Sequence, residues 1–75
     1  MTKDKHHIIA EIEIFLQRYD YEFQSIENEI KIYLDESEIC IIIDKYINIY
    51  DYDKDQPYSY SSLDKAIMKL KSIIS

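Results

Sequence analysis

The middle of the chain repeats an apolar residue at every second position in three consecutive segments, 30–35, 38–44 and 46–52. A period of two is typical of a β-strand that buries one of its faces. The branched residues of the three segments agree on one side, so the pattern predicts a shared buried face. That face carries Ile30, Ile32, Leu34, Ile39, Ile41, Ile43, Ile47 and Ile49.

The two ends of the chain show the longer period of a helix. Residues 4–19 and the residues after 60 each collect apolar side chains on one side at about 3.6 residues per turn. The first stripe consists of Ile8, Ile12, Phe15 and Tyr19, with Ile9 and Leu16 at its margin. The second stripe consists of Leu63, Ala66, Ile67, Leu70 and Ile74.

Two segments have weaker patterns. Residues 21–27 alternate weakly and predict a first strand, which turns at Asn28 and Glu29 into the second strand. Residues 53–60 contain the only proline, Pro57, and predict a loop before the second helix. The nearly continuous apolar run of residues 38–44 favours a central position in the sheet.

Together these elements predict one α+β domain that spans residues 1–75. We expect two layers: a three- or four-stranded antiparallel sheet, and N- and C-terminal helices that both pack on its apolar face, in the order α-β-β-β-β-α. The other face of the sheet would then stay uncovered. Its outward residues would be Tyr33, Cys40, Ile42, Tyr46, Tyr50 and Tyr52, bordered by Glu38 and Asp44, with Tyr58 and Tyr60 joining at the edge.

The eight tyrosines of the chain admit two interpretations. Tyrosine joins a large rigid ring to a polar tip and is favoured at binding surfaces. It is also a good strand former, and aromatic pairs across strands stabilise a sheet without any partner. Ile42 at the centre of the uncovered face favours the interface, because it would otherwise leave an apolar patch in water.

The negative charge is concentrated in the sheet and its loops. The chain has a net charge of −6, and residues 20–60 hold eleven acidic against three basic residues, a net charge of −8. Such a field repels nucleic acid and attracts basic protein surfaces. No apolar run approaches the roughly 18 residues of a membrane span. The single cysteine favours a cytoplasmic location.

The chemical motifs of enzymes and metal sites are weak or missing. The chain has no glycine, which excludes glycine-dependent phosphate loops. Asp51, Asp53 and Asp55 have the spacing of the first ligands of a calcium loop, but Gln56 stands in place of the required glycine. Cys40 lies among isoleucines, where burial raises the pKa of a thiol and makes it inert. We therefore expect no enzyme, no cofactor and no metal site.

In size, acidity and its Ile-, Lys-, Asn- and Tyr-rich composition, the chain resembles small acidic inhibitor proteins of phages and mobile elements, of the anti-CRISPR or DNA-mimic type. The resemblance implies a protein that binds the basic surface of a nucleic-acid-handling enzyme, such as a CRISPR effector or a nuclease. It transfers no site residue.

The same features fit an immunity protein for a toxin, or an assembly module that forms a homodimer. From the pattern of the sheet, the partner-binding residues would be Tyr33, Glu38, Ile42, Asp44, Tyr46, Tyr50, Asp51, Tyr52, Asp53 and Asp55.

Overall fold

A computed structural model describes residues 5–51 and 56–74. Its centre is a five-stranded antiparallel sheet in which each strand lies beside its neighbour in sequence. One helix precedes the sheet and another follows it, which confirms the predicted α+β fold. The elements are α1 Lys5–Arg18, β1 Glu22–Ile26, β2 Glu29–Tyr33, β3 Glu38–Ile43, β4 Ile47–Asp51, β5 Tyr58–Tyr60 and α2 Leu63–Ile74.

The predicted apolar face of the sheet forms the core. Ile30 and Ile32 of β2 and Ile39, Ile41 and Ile43 of β3 have no exposed surface. Burying each such side chain contributes about 1.5–3 kcal/mol relative to leaving it in water. The alternation of buried and partly exposed residues along β2, β3 and β4 confirms the faces that the sequence predicts.

Both helices pack on this apolar face. Helix α1 contacts β1 and β3, and helix α2 contacts β4 and β5. The helical part of the core is Ile12, Phe15, Leu16, Leu63, Ala66 and Leu70. One detail of the predicted stripe is wrong: Leu16 is fully buried, whereas Tyr19 is 52% exposed. Tyr19 lies beyond the last residue of α1, in the turn that leads from the helix into β1.

The two helices run in the same direction. Lys5, at the start of α1, forms an ion pair with Asp44 in the turn between β3 and β4, with 3.5 Å between Nζ and Oδ1. Helix α2 starts at that same end, because β5 pairs Tyr60 with the first residue of β4 and leads directly into the helix. At the opposite end, Tyr21 donates a hydrogen bond from its hydroxyl to the carbonyl oxygen of Ile74, at 2.8 Å.

Acidic residues make tight turns that glycine usually makes. Asp20, two residues after the end of α1, has a φ of 63°. Its N–H donates to the carbonyl of Gln17, and the N–H of Tyr21 donates to the carbonyl of Leu16. These two bonds form a Schellman motif, which satisfies carbonyls at the end of the helix. Glu27 has a φ of 53° in the turn between β1 and β2.

Two other expectations about the strands need correction. The sheet has five strands, because Tyr58–Tyr60, in the segment predicted as a loop, pairs with β4. The first turn consists of Glu27 and Asn28, one residue earlier than predicted, since Glu29 belongs to β2. Asn28 fixes this turn by donating from Nδ2 to the carbonyl of Ile43 at 2.9 Å.

No helix among residues 5–51 and 56–74 has the length and apolar character needed to cross a membrane.

Candidate functional site

The face of the sheet opposite the helices is the candidate site, and we call it the open face. None of its side chains is buried: those near the centre are partly exposed and those at the rim are exposed. By strand alternation, its described residues are Glu22, Gln24 and Ile26 of β1, Glu29, Lys31 and Tyr33 of β2, Glu38, Cys40 and Ile42 of β3, Asn48 and Tyr50 of β4, and Ser59 of β5.

The strand register places a tyrosine between two carboxylates. Tyr33 pairs with Glu22 on one side and with Glu38 on the other. Neighbouring strands lie about 4.8 Å apart, so the Cα atoms of the two glutamates are about 10 Å apart. The Tyr33 hydroxyl donates to Oε1 of Gln24 at 3.0 Å. This bond ties the ring to β1 and orients it on the face.

The next row across the sheet carries Cys40. Cys40 lies between Lys31 and Tyr50 in the register, and its thiol donates to Oε2 of Glu29 at 3.0 Å. Burial first, and then the bond to Glu29, raise the pKa of Cys40 to about 12. The thiol is therefore protonated at neutral pH and is a poor nucleophile, in agreement with the expectation from the sequence.

The third row mixes apolar and amide groups. Ile42 lies between Glu29 and Asn48, and Asn48 accepts a hydrogen bond from the Ser59 hydroxyl at 2.6 Å. Asn48 also donates from Nδ2 to the carbonyl of Tyr46 at 3.2 Å. Ile42 is partly buried, and its partners in the register on both sides are polar.

The structure divides the predicted binding residues into groups. Tyr33, Glu38, Ile42 and Tyr50 share the open face. Asp51 shares the strand phase of Ile47 and Ile49, which is the phase of the face that the helices cover. Tyr52, Asp53 and Asp55 lie outside the described residues.

Asp44 and Tyr46 lie at the end of the sheet where the helices begin. They line a cleft of about 670 Å³ together with Lys5, Ser62 and Asp64. This cleft is separate from the row of Tyr33, and Asp44 is already paired with Lys5.

The expectation that Tyr58 and Tyr60 join the open face is wrong. They pair with Ile49 and Ile47 and share their side of the sheet, where both tyrosines pack against the core. Tyr58 also lies under the ammonium group of Lys69, which is 4.1 Å from the ring centroid. These two tyrosines stabilise the contact between β5 and α2.

The open face contains residues that the sequence analysis did not select. Glu22, Gln24 and Ile26 of β1 and Glu29 of β2 line it. The sequence does indicate which face these β1 residues share, because residues 22, 24 and 26 alternate with Phe23 and Ser25. It does not indicate which residues of β2 lie beside them, since that depends on the register of the first turn.

The acidic side chains concentrate at the end of the sheet that holds the turn between β2 and β3. Glu22 and Glu38 begin their strands there, and Asp35 and Glu36 form the turn itself. All four are exposed. Among the described residues, no group of three or more potential ligands is arranged to hold a metal ion.

Comparisons with protein-family models, with curated proteins and with solved structures find no match to this chain.

Proposed function

We propose that this protein is a small acidic, non-enzymatic binding module that inhibits a nucleic-acid-handling enzyme, such as a CRISPR effector or a nuclease, by covering its basic surface. The observation that carries the proposal is the row of Glu22, Tyr33 and Glu38 on a face that lies opposite both helices. An acidic face with an exposed aromatic ring is complementary to the surface that such an enzyme presents to nucleic acid.

The row has the chemistry to hold an arginine of the partner. A guanidinium stacked on the Tyr33 ring would gain a cation–π interaction and could pair with the carboxylate of Glu22 or Glu38. Tyr33 is 36% exposed, so its ring is accessible, and its bond to Gln24 limits the entropy lost when a partner binds. Tyr50, 41% exposed, extends the aromatic surface toward β4.

We propose a non-enzymatic function because the one cysteine of the chain is a poor candidate for a catalytic nucleophile. The protonated thiol of Cys40 is a weak nucleophile. Surface carboxylates repel phosphates, so the partner in this proposal is a protein and not nucleic acid itself. We propose a cytoplasmic location, where such a partner would act.

Affinity capture with matched variants tests the proposal. The wild-type protein should retain a basic, nucleic-acid-handling protein from its host cell, identified by mass spectrometry, and the double variant Tyr33→Ala/Glu38→Gln should lose it. The control variant Tyr19→Ala/Asp64→Asn makes the same kinds of change away from the open face and should keep the capture. The purified partner should lose activity when the wild-type protein is added.

Two results would reject the inhibitor proposal. One is that both double variants capture the same proteins. The other is that the retained protein keeps full activity. Retention of a toxin nuclease would assign the immunity function instead, and size-exclusion chromatography with light scattering would detect a homodimer.

A further inference from the structure

The backbone of β1 has hydrogen-bonding groups that point away from the sheet. In an antiparallel ladder, residues alternate between bonding to one neighbour and bonding to the other. The N–H of Ile43 donates to the carbonyl of Asn28 at 2.8 Å, so this pair is hydrogen-bonded. By the alternation of the ladder, the even-numbered residues of β2 form their backbone bonds with β3, and the odd-numbered residues form theirs with β1. On β1, the residues that pair by backbone bonds are therefore Glu22, Gln24 and Ile26. Phe23 and Ser25 direct their N–H and C=O groups outward.

The two edges of the sheet differ in their protection. Strand β5 is three residues long, and the residue before it is Pro57, which has no N–H to offer. Strand β1 is five residues long and contains neither lysine nor proline, the residues with which natural edge strands discourage pairing. The edge of β1 is therefore the better template for an added strand.

The charges along this edge select the kind of strand that fits. Asp20, Glu22 and Glu27 are exposed in or beside β1, against one basic residue, Arg18, in segment 18–28. Pairing with a second copy of β1 would place two sets of these carboxylates along one another, which is unfavourable. An extended segment with basic residues would oppose them with the complementary charge.

We propose that the outer edge of β1 binds an extended basic segment of another protein as a sixth, antiparallel strand. Backbone bonds to Phe23 and Ser25 provide affinity, and basic side chains at alternate positions meet Glu22 on the open face. Ile26, 57% exposed, lies next to this edge and can pack against the aliphatic part of a lysine side chain. This site shares Glu22 with the row around Tyr33, but its backbone bonds to Phe23 and Ser25 use neither Tyr33 nor Glu38 and do not rest on the proposed function.

Nuclear magnetic resonance with a designed peptide tests the site. The probe is a capped peptide that alternates lysine and valine, and a peptide that alternates glutamate and valine is its control. With the lysine peptide, the amides of Phe23 and Ser25 should shift and become protected from hydrogen exchange. With the glutamate peptide, they should remain unprotected.

Three variants separate backbone pairing from simple charge attraction. Ser25→Pro removes an outward N–H without breaking the ladder to β2 and should weaken peptide binding about tenfold. Ser59→Pro makes the same change at the opposite edge and should bind as the wild type does. Glu22→Gln should weaken binding several-fold and reduce its salt dependence.

Either of two results would overturn the proposal. Equal affinity of the wild type and a folded Ser25→Pro variant would show that the peptide is held by charge alone. Protection of Phe23 and Ser25 that rises with the concentration of the protein, without peptide, would assign the edge to a second copy.

Discussion

The thiol of Cys40 donates a hydrogen bond to the carboxylate of Glu29 across the β2–β3 ladder, with 3.0 Å between Sγ and Oε2. Burial, this bond and the negative charge of Glu29 together hold the proton on the sulfur, so that the pKa of Cys40 rises to about 12.

We therefore expect Glu29→Gln to lower the pKa of Cys40, because the substitution removes the negative charge beside the thiol. The pH dependence of the reaction with a disulfide reagent measures this pKa. Glu36→Gln, in the β2–β3 turn, is the control and should leave it unchanged. Identical pH profiles for Glu29→Gln and the wild type would contradict the assignment.

The raised pKa of Cys40 should make stability depend on pH under alkaline conditions. An unfolded thiol has a pKa of about 8.5, so raising the pH deprotonates the unfolded chain first and lowers the free energy of unfolding. The contribution is fully present below the unfolded pKa and is lost as the pH rises toward about 12. Urea unfolding of the wild type and Cys40→Ala, compared at neutral and alkaline pH, isolates the effect. The wild type should lose more stability than Cys40→Ala does, and parallel losses would argue against it.

The two faces of the sheet should respond differently to the removal of one methyl group. Ile41 has no exposed surface, so Ile41→Val should lower the free energy of unfolding by about 0.5–1.5 kcal/mol. Ile26 is 57% exposed on the open face, and Ile26→Val should change that free energy by less than about 0.5 kcal/mol. Urea titration of both variants measures the difference. Equal losses would indicate that the open face is covered in solution.

The tyrosines of the open face should be dispensable for folding. Tyr33 and Tyr50 are exposed, so the variant Tyr33→Ala/Tyr50→Ala should keep a cooperative unfolding transition and lose no more than about 2 kcal/mol, the range of two cross-strand pairs. Circular dichroism during thermal unfolding is the measurement. A variant that fails to fold would favour the interpretation of these rings as sheet stabilisers over their role in binding.

The turn between β1 and β2 contains a residue that glycine or asparagine should improve. Glu27 has a φ of 53°, and the left-handed conformation costs a residue with a bulky side chain about 1–2 kcal/mol. Glu27→Gly or Glu27→Asn should therefore raise the free energy of unfolding, by up to about 1 kcal/mol. Chemical denaturation checks the gain, and Glu36→Asn is a control for the lost charge. A loss of stability in both Glu27 variants would show that the side chain itself supports the turn.

The buried face could be predicted from sequence because it depends only on period. In β2 and β4, the isoleucines alternate with polar residues or tyrosine. The buried face of these strands therefore follows from the alternation alone, without knowledge of the turns. The strand Tyr58–Tyr60 could not be predicted in the same way, since three residues carry too little alternation to distinguish a strand from a loop. The alternation of Tyr58, Ser59 and Tyr60 is consistent with a strand, but it identifies one only when the free edge of β4 is known to lie beside it.

The neighbours of Tyr33 could not be predicted because they depend on the register of one turn. A turn at Asn28 and Glu29 would pair Glu27 with Ile30 and place Gln24 opposite Tyr33. The observed turn at Glu27 and Asn28 places Glu22 there instead. Either register leaves Tyr33 on the same face, so the face was predictable and the cluster of side chains was not.

The shared direction of α1 and α2 has an electrical consequence for the whole molecule. The helix dipoles add, and their negative ends lie at the end of the sheet where Asp35 and Glu36 form the β2–β3 turn. The acidic side chains of this turn and the negative ends of the helix dipoles therefore lie at the same end of the molecule. The protein carries a permanent dipole moment whose negative end is the β2–β3 turn, and an external field would rotate the protein so that this turn faces positive potential.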